Sequence, residues 1–336
     1  MKTILVTGGL GYIGSHTVVV LQEAGFKVNI IDDLSNTRME VLHQITAITG
    51  IEPHFTKLDL KHKETVHQYF EEHTIDGLIH FAASKAVGES VEAPLKYYEN
   101  NINTLIYVLE EMSSRGLSNF IFSSSCTVYG QADELPITES APTKKAESPY
   151  GNTKQIGEEI INDLCKVKDF QAIALRYFNP VGAHSSAKIG ELPLGVPQNL
   201  IPFVCQTAAG IRAELSVFGD DYPTEDGTAV RDYIHVVDLA KAHLAALNRL
   251  LNKENTKNFE LFNVGTGTGT SVLDIINTFE KVNNLKLPYK IVGRRAGDIT
   301  AAYADTTLAN DALGWKAEED LASALKSAWE WQKNQA

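Results

Sequence analysis

Gly8-Gly9-Leu10-Gly11-Tyr12-Ile13-Gly14 joins an apolar run, Lys2–Thr7, to a helical stretch, Tyr12–Ala24. A turn this tight requires residues without a Cβ, and it lets a pyrophosphate approach the backbone closely. The helix that follows offers unpaired N–H groups and the positive end of its dipole to phosphate. An acid stands at the matching distance. Asp32 follows the second strand signal, about 20 residues on, where a carboxylate accepts hydrogen bonds from ribose hydroxyls. The same carboxylate repels a 2′-phosphate, so the expected dinucleotide is NAD rather than NADP.

The alternation begun there continues. Strand signals at Lys27–Ile31, Glu52–Leu58, Gly77–Ala82 and Phe120–Ser124 alternate with helical stretches near Arg38–Thr49, Lys63–Glu72 and Ala93–Arg115. Repeated β-then-α order predicts a Rossmann-type α/β fold, a doubly wound parallel sheet with helices on both faces. After Phe178 the pattern breaks, and Gly182–Pro197 is rich in Gly, Pro and Ser without a clear period. The reading is an NAD-binding domain over 1–178 and a smaller C-terminal α/β substrate domain over 179–336. The chain is expected to cross back near Arg231–Ala246. Asp59-Leu60 and Phe81-Ala82-Ala83 follow the third and fourth strands, at carboxyl ends where open α/β sheets bind ligands. Asp59 would serve equally as a cap for the next helix.

Composition limits the partners. Net charge is −12 over 336 residues, which argues against a nucleic-acid partner and requires a local site for any phosphate. The three cysteines, Cys126, Cys165 and Cys205, fit neither a disulfide framework nor a zinc spacing, so reduced thiols and no metal are expected. No apolar run approaches ~18 residues, and the strand-like start carries no signal peptide. A cytoplasmic protein without membrane contact is the expectation.

Tyr150-Gly151-Asn152-Thr153-Lys154 opens a further helix, and a spacing of four puts Tyr150 and Lys154 on one face. An ammonium beside a phenol favours the phenolate, and with the nicotinamide's own charge it brings a tyrosine down from its ordinary pKa of about 10 toward working pH. Tyr150 is thereby a candidate general base, although such a pair also occurs on plain surface helices. Phe120-Ile121-Phe122-Ser123-Ser124-Ser125-Cys126-Thr127 adds hydroxyls at the carboxyl edge of the sheet. Ser125 and Thr127 are the candidates to meet a reacting sugar hydroxyl.

The glycine loop, the serine-ended strand and Tyr-x-x-x-Lys, in that order, resemble the extended short-chain dehydrogenase/reductase family and, more narrowly, its UDP-sugar 4-epimerases. The resemblance covers nearly the whole chain. Its narrower motifs are Thr7–His16, Val87-Gly88-Glu89-Ser90, Arg176-Tyr177-Phe178-Asn179-Pro180-Val181-Gly182, Gly219–Thr224 and Arg231–Val236. It implies an isomerase with bound NAD that inverts C4 of UDP-glucose and UDP-galactose through a transient 4-keto sugar. Tyr150 would take the 4-hydroxyl proton, Ser125 would stand beside it, and Lys154 would tune Tyr150 and bind the nicotinamide ribose. Cofactor contacts are implied for Gly8, Gly11, Tyr12, Ile13, Gly14, Asp32, Asp33, Asn36, Asp59, Leu60, Phe81, Ala82, Ala83, Lys85, Asn100, Ser125, Tyr150, Lys154 and Phe178. UDP-sugar contacts are implied for Ser125, Tyr150, Asn179, Asn199, Leu215, Ser216, Val217, Phe218, Arg231, Arg295, Asp298 and Ala302. A homodimer is implied too, with Ala93–Arg115 and the helix after Tyr150 as its candidate interface.

Side-chain chemistry bears on these assignments separately. An acidic protein needs local cations for a diphosphate, and the arginine fork suits phosphate oxygens. Arg231 and Arg295 lie where a substrate domain would supply them, though each alone reads equally as a solvated surface residue. Asn179 offers a donor and an acceptor to a sugar, or simply pins the Asn179-Pro180 turn. Three positions depart from the resemblance. Asp33 stands where asparagine is frequent, and Cys126 where alanine is frequent. Ala302 stands where some epimerases carry tyrosine. A small residue at 302 suggests room for the N-acetyl group of UDP-GlcNAc and UDP-GalNAc, unless neighbours fill it. The alternatives are a nucleotide-sugar 4,6-dehydratase, a catalytically silent NAD-binding regulator, and a net oxidoreductase. The dehydratase needs an acid–base pair where this chain has Ser125-Cys126-Thr127.

Overall fold

The computed structural model of the chain describes residues 1–295 and 298–335. Strands and helices alternate through the first half: β1 (Thr3–Thr7), α1 (Tyr12–Glu23), β2 (Lys27–Asp32), α2 (Glu40–Thr49), β3 (His54–Lys57), α3 (Lys63–Glu72), β4 (Gly77–His80), α4 (Val87–Glu92), α5 (Pro94–Ser114), β5 (Phe120–Ser125), α6 (Pro149–Val167) and β6 (Ala172–Tyr177). The second half is less regular. It contains β7 (Asn179–Val181), α7 (Leu200–Ala208), β8 (Leu215–Phe218), β9 (Val230–Arg231), β10 (Tyr233–His235), α8 (Val236–Leu251), β11 (Phe259–Val264), β12 (Thr270–Ser271), α9 (Val272–Asn283), β13 (Tyr289–Val292), β14 (Ala301–Ala302), α10 (Thr307–Leu313) and α11 (Leu321–Lys333).

Seven strands form one parallel sheet in the order β11-β6-β5-β4-β1-β2-β3. Every residue of β4, β5 and β6 is buried, as in parallel strands covered on both faces. One face packs Val18, Val19, Leu239 and Leu247 from α1 and α8. The other packs Val66, Phe70, Leu105, Met112 and Ile161 from α3, α5 and α6. The chain runs out through β1, β2 and β3, then returns to place β4 on the other side of β1. That reversal opens a crevice at the carboxyl ends of β1 and β4, where ligands bind in such sheets. A separate core of Ile201, Val204, Leu215, Ile275, Phe279 and Leu325 lies under α7, α9 and α11.

Two details differ from the sequence-based expectation. The helix expected over Ala93–Arg115 is preceded by the distinct α4, because Pro94 begins α5 and cannot continue an earlier helix. The chain also returns to the large sheet for longer than expected. After α8 it supplies β11 as the edge strand, pairing Phe259 with Ala172 and Val264 with Tyr177. Ala309 of α10 and Trp315 join the same core.

Three histidines are fully enclosed in these layers. Burial pushes His16 and His80 down to about 3 and His243 down to about 4. An unfolded histidine titrates near pH 6.5, so below about that pH the unfolded chain binds protons that the folded chain refuses. Stability from these groups is fully present above about pH 6.5 and is lost as the pH falls toward the folded values. Urea midpoints are therefore expected to fall from about pH 7 toward pH 4. A flat profile across that window would contradict the buried, neutral assignment.

Candidate active site

The glycine loop is built for close approach. Gly8 has φ 68°, a left-handed conformation, and its N–H donates to the Ile31 carbonyl at 2.8 Å. A Cβ on Gly14 would lie 2.2 Å from the Gly8 oxygen, and one on Gly8 would lie 2.8 Å from the Ala82 nitrogen. Gly11 caps α1 without any side-chain hydrogen bond, so Tyr12, Ile13 and Gly14 open the helix toward the crevice. This cradle fits a pyrophosphate. Gly14→Val would displace the loop, and a ~3 kcal/mol displacement weakens NAD by about 100-fold. Purified Gly14→Val protein is expected to release little nucleotide on heat denaturation. Full NAD content would contradict this.

Asp32 is buried at the end of β2. Its carboxylate accepts from the Leu10 N–H at 3.1 Å and the Leu34 N–H at 3.0 Å. Burial raises its pKa while these backbone donors pull it down. Asp33 is engaged by Ser35, whose N–H and hydroxyl both donate to it, at 2.8 and 2.6 Å. Asn36 is exposed on the same turn. Asp59 does not cap α3. It accepts from the Lys61 N–H at 2.9 Å in the turn before the helix, and the cap position of α3 is His62, which makes no side-chain cap hydrogen bond. Leu60 is buried beside it. Phe81, Ala82 and Ala83 continue from β4 past the glycine loop, with the Phe81 N–H donating to Thr7 at 3.0 Å. Asn100 donates to the Ser84 hydroxyl at 3.2 Å.

At the start of α6 the Ser148 hydroxyl accepts from the Gly151 N–H at 3.1 Å, with Pro149 in the first turn. The cap turns Tyr150 and Lys154 inward, onto the end of β5. Lys154 Nζ donates to the Ser123 carbonyl at 2.5 Å and lies 5.8 Å from the centre of the Tyr150 ring. Burial lowers the lysine to about 8, opposed by Glu158. At Tyr150 the covering of the ring outweighs its polar neighbours. Burial raises its phenol well above the ordinary value, Tyr177 adds to the rise, and the Ser125 hydroxyl pulls it down. In the chain alone the ammonium is directed at a backbone carbonyl, so burial dominates. Ser125 is buried and accepts from the Thr127 N–H at 3.3 Å. The Thr127 hydroxyl is buried and has no hydrogen-bond partner among the described residues. Such an orphan just beyond the carboxyl end of β5 is spare hydrogen-bonding capacity. Burial raises the Cys126 thiol to about 12, which leaves it a poor nucleophile.

The substrate-side candidates come together in part. Arg295 holds Asp298 through Nε at 3.2 Å and Nη2 at 2.7 Å. Arg231 Nη2 approaches the same carboxylate at 3.7 Å. The Arg295 guanidinium lies 5.8 Å over the exposed Phe218 ring. Strand alternation separates the Leu215–Phe218 run, with Leu215 and Val217 packing inward and Ser216 and Phe218 facing outward. The outward side of this segment thus consists of Ser216, Phe218 and the strand backbone. Asn179 pairs its N–H with the Asp232 carbonyl at 2.9 Å, while Phe178 is buried and bonded to Val264. Asn199 is exposed at the cap of α7 and donates to Glu191 at 2.7 Å. Ala302 pairs with Arg231 in register. Its methyl is buried with Val128, Tyr129, Ile137 and Phe178.

Two supporting elements escape sequence reasoning. Asn101, next to Asn100, accepts from the Ser84 N–H at 2.8 Å and donates to the Thr153 hydroxyl at 3.0 Å, tying the loop after β4 to α6. Two adjacent asparagines within a helix, where they are poor formers, are the available signal. Glu158, one turn beyond Lys154, is gripped by Arg176 through Nε at 2.9 Å and Nη2 at 2.6 Å. It also accepts from Ser124 at 2.5 Å, and Arg176 reaches Tyr129 at 2.9 Å.

The profile of the NAD dependent epimerase/dehydratase family matches residues 4–265. A UDP-glucose 4-epimerase of Drosophila melanogaster is 49% identical, covering 98% of this chain and 96% of its own. A crystal structure of a UDP-glucose-4-epimerase from Stenotrophomonas maltophila, with bound NAD and formylated UDP-arabinopyranose, is 47% identical. It superposes at a TM-score of 0.96, covering 100% of this chain and 99% of its own. One from Bifidobacterium longum, in complex with NAD+ and UDP, is 43% identical at a TM-score of 0.95, covering 99% and 98%.

Proposed function

The chain belongs to the NAD dependent epimerase/dehydratase family, and from that premise we propose an NAD-dependent isomerase that inverts C4 of UDP-glucose and UDP-galactose. The observation that carries the proposal is the cluster of Tyr150, Lys154, Ser125 and the unpartnered Thr127 hydroxyl around the end of β5. No carboxylate from the Ser125-Cys126-Thr127 segment stands there to eliminate water, which disfavours a 4,6-dehydratase. An intact proton-handling group disfavours a silent regulator.

When bound, NAD supplies reversible two-electron oxidation at C4 and a positively charged ring. The residues implied for it above, from Gly8 through Phe178, would hold it, with Asp32 at the ribose. Tyr150 would accept the proton of the sugar 4-hydroxyl and return it when the 4-keto sugar is reduced on its other face. Burial keeps the phenol protonated in the chain alone, and a cationic ring together with Lys154 favours its ionised form in the loaded site. Ser125 and Thr127 would orient the sugar hydroxyl. Arg231, Arg295, Asn179, Asn199, Ser216 and Phe218 would hold the UDP portion, with Asp298 aligning the two arginines. The 1–178 part serves the cofactor and the later part the substrate. A cytoplasmic homodimer formed through α5 and α6 completes the proposal.

The small side chain at 302, in register with Arg231, is the ground for extending the proposal to UDP-GlcNAc and UDP-GalNAc, which requires Val128, Tyr129, Ile137 and Phe178 around its methyl to make room. Incubation with UDP-galactose, UDP-GalNAc and UDP-glucuronate, with products resolved, tests both levels. The first two are expected to give their C4 epimers without stoichiometric NADH. A 4-keto-6-deoxy product would identify a dehydratase, and NADH in step with substrate a net oxidoreductase. No detectable UDP-GalNAc turnover would remove only the N-acetyl extension.

A further inference from the structure

Glu191 sits at a junction that neither ligand-binding set includes. Its Oε1 accepts from Lys85 Nζ at 3.3 Å and from Asn199 Nδ2 at 2.7 Å. Lys85 comes from the loop after β4 and lies 5.9 Å over the ring of Tyr12, in the first turn of α1. Asn199 caps α7 on the other side of the crevice. Among the described residues, Lys85–Glu191 is the only ion pair joining a residue of 1–178 to one beyond it. The Glu191 side chain is 13% exposed and that of Lys85 47%, so the carboxylate is the shielded end of the pair and the ammonium stays open to solvent.

The backbone around Glu191 is pinned independently of its carboxylate. The Glu191 carbonyl accepts from Trp331 Nε1 of α11 at 3.1 Å. A Cβ on Gly190 would lie 2.5 Å from the Trp331 ring, so the chain crosses that indole without clearance. Gly190 also bridges to Ala183, and the neighbouring Gly182 carbonyl accepts from the Tyr12 hydroxyl at 2.6 Å. The carboxylate thus projects from a fixed point between the two halves. A carboxylate repels phosphate, so beside two diphosphate ligands it is suited to holding their donors rather than to binding either ligand.

We propose that Glu191 is a positioning residue that couples cofactor and substrate binding. One oxygen aims Lys85 at the NAD side and Asn199 at the UDP side, so that occupancy of one site stabilises the donor serving the other. This inference rests on the ligand assignments above. Coupling of this kind is reciprocal, and a factor of about 5 or more is the expected scale.

NAD release from the purified holoenzyme is the measurement, followed with and without saturating UDP. In wild type, UDP is expected to slow release at least about fivefold. Glu191→Ala should abolish that protection. Glu191→Gln, which keeps an acceptor for Asn199 but loses the charge, should retain part of it. Lys85→Met combined with Glu191→Gln should lose no more protection than Lys85→Met alone. Full protection in Glu191→Ala, strictly additive losses in the double variant, or no protection by UDP in wild type would each overturn the proposal. If Glu191→Ala fails to fold, the Gln and Met variants decide it. Wild-type epimerisation of UDP-galactose, assayed on the same preparations, reports separately on the function itself.

Discussion

Tyr150→Phe is expected to lower kcat for UDP-galactose by about 1,000-fold, within the range that positioned proton transfer contributes. The substitution removes one oxygen and leaves the ring in the buried position it holds beside Ser125. The fold, the NAD content and the KM should change little, since the lost interaction belongs to the reacting proton. Circular dichroism and nucleotide released on denaturation check the first two, and steady-state kinetics the rest. A kcat within about tenfold of wild type would remove Tyr150 from the role of base. The outcome is sharpened by the raised phenol in the chain alone. Proton transfer at neutral pH then depends on the loaded site, so a bare protein should give no sign of a neutral-range phenol titration.

The second large effect is on stability. Arg176→Met leaves Glu158 charged and enclosed without its bidentate partner. Breaking a buried pair in this way costs about 3–5 kcal/mol. At roughly 2 °C per kcal/mol for a chain of this size, Tm should fall by about 6–10 °C. Replacing both partners, Arg176→Met with Glu158→Leu, should recover much of the loss, because no uncompensated charge remains. The pair also reaches the chemistry. Glu158 raises the pKa of Lys154 against burial and accepts from Ser124 next to Ser125. Arg176→Met should therefore reduce kcat even at temperatures where it is fully folded. An unchanged Tm would show the pair to be worth no more than its desolvation cost.

The parts that were legible in the sequence are those whose signal is local. The glycine loop announces itself because its backbone geometry excludes side chains within a few residues. Tyr150 and Lys154 share one helical turn, and β1 through β5 alternate with helices in a period the residues carry themselves. The misread parts depend on distant pairing. Phe259–Val264 is a short apolar run among irregular ones, and only its register with β6 makes it the edge of the large sheet. Which residues of Leu215–Phe218 face inward depends likewise on a core assembled from α7, α9 and α11, into which Leu215 and Val217 pack. Arg176 lay within a distinctive motif, yet its partner Glu158 is on another element, as are the partners of Asn101 and Glu191. Asp59 reads equally as a helix cap and as a ligand contact, and local turn geometry excludes the cap. The Tyr150 shift depends on how deeply the ring is covered, a property of the whole packed site.

Turnover of UDP-galactose in D2O, read by proton NMR of the product, tests the central chemistry most directly. If C4 is oxidised and then reduced within the closed site, UDP-glucose forms with its original hydrogen at C4 and no deuterium there. Deuterium at C4 would mean that inversion proceeds by proton exchange with solvent, and would contradict reversible oxidation at this site.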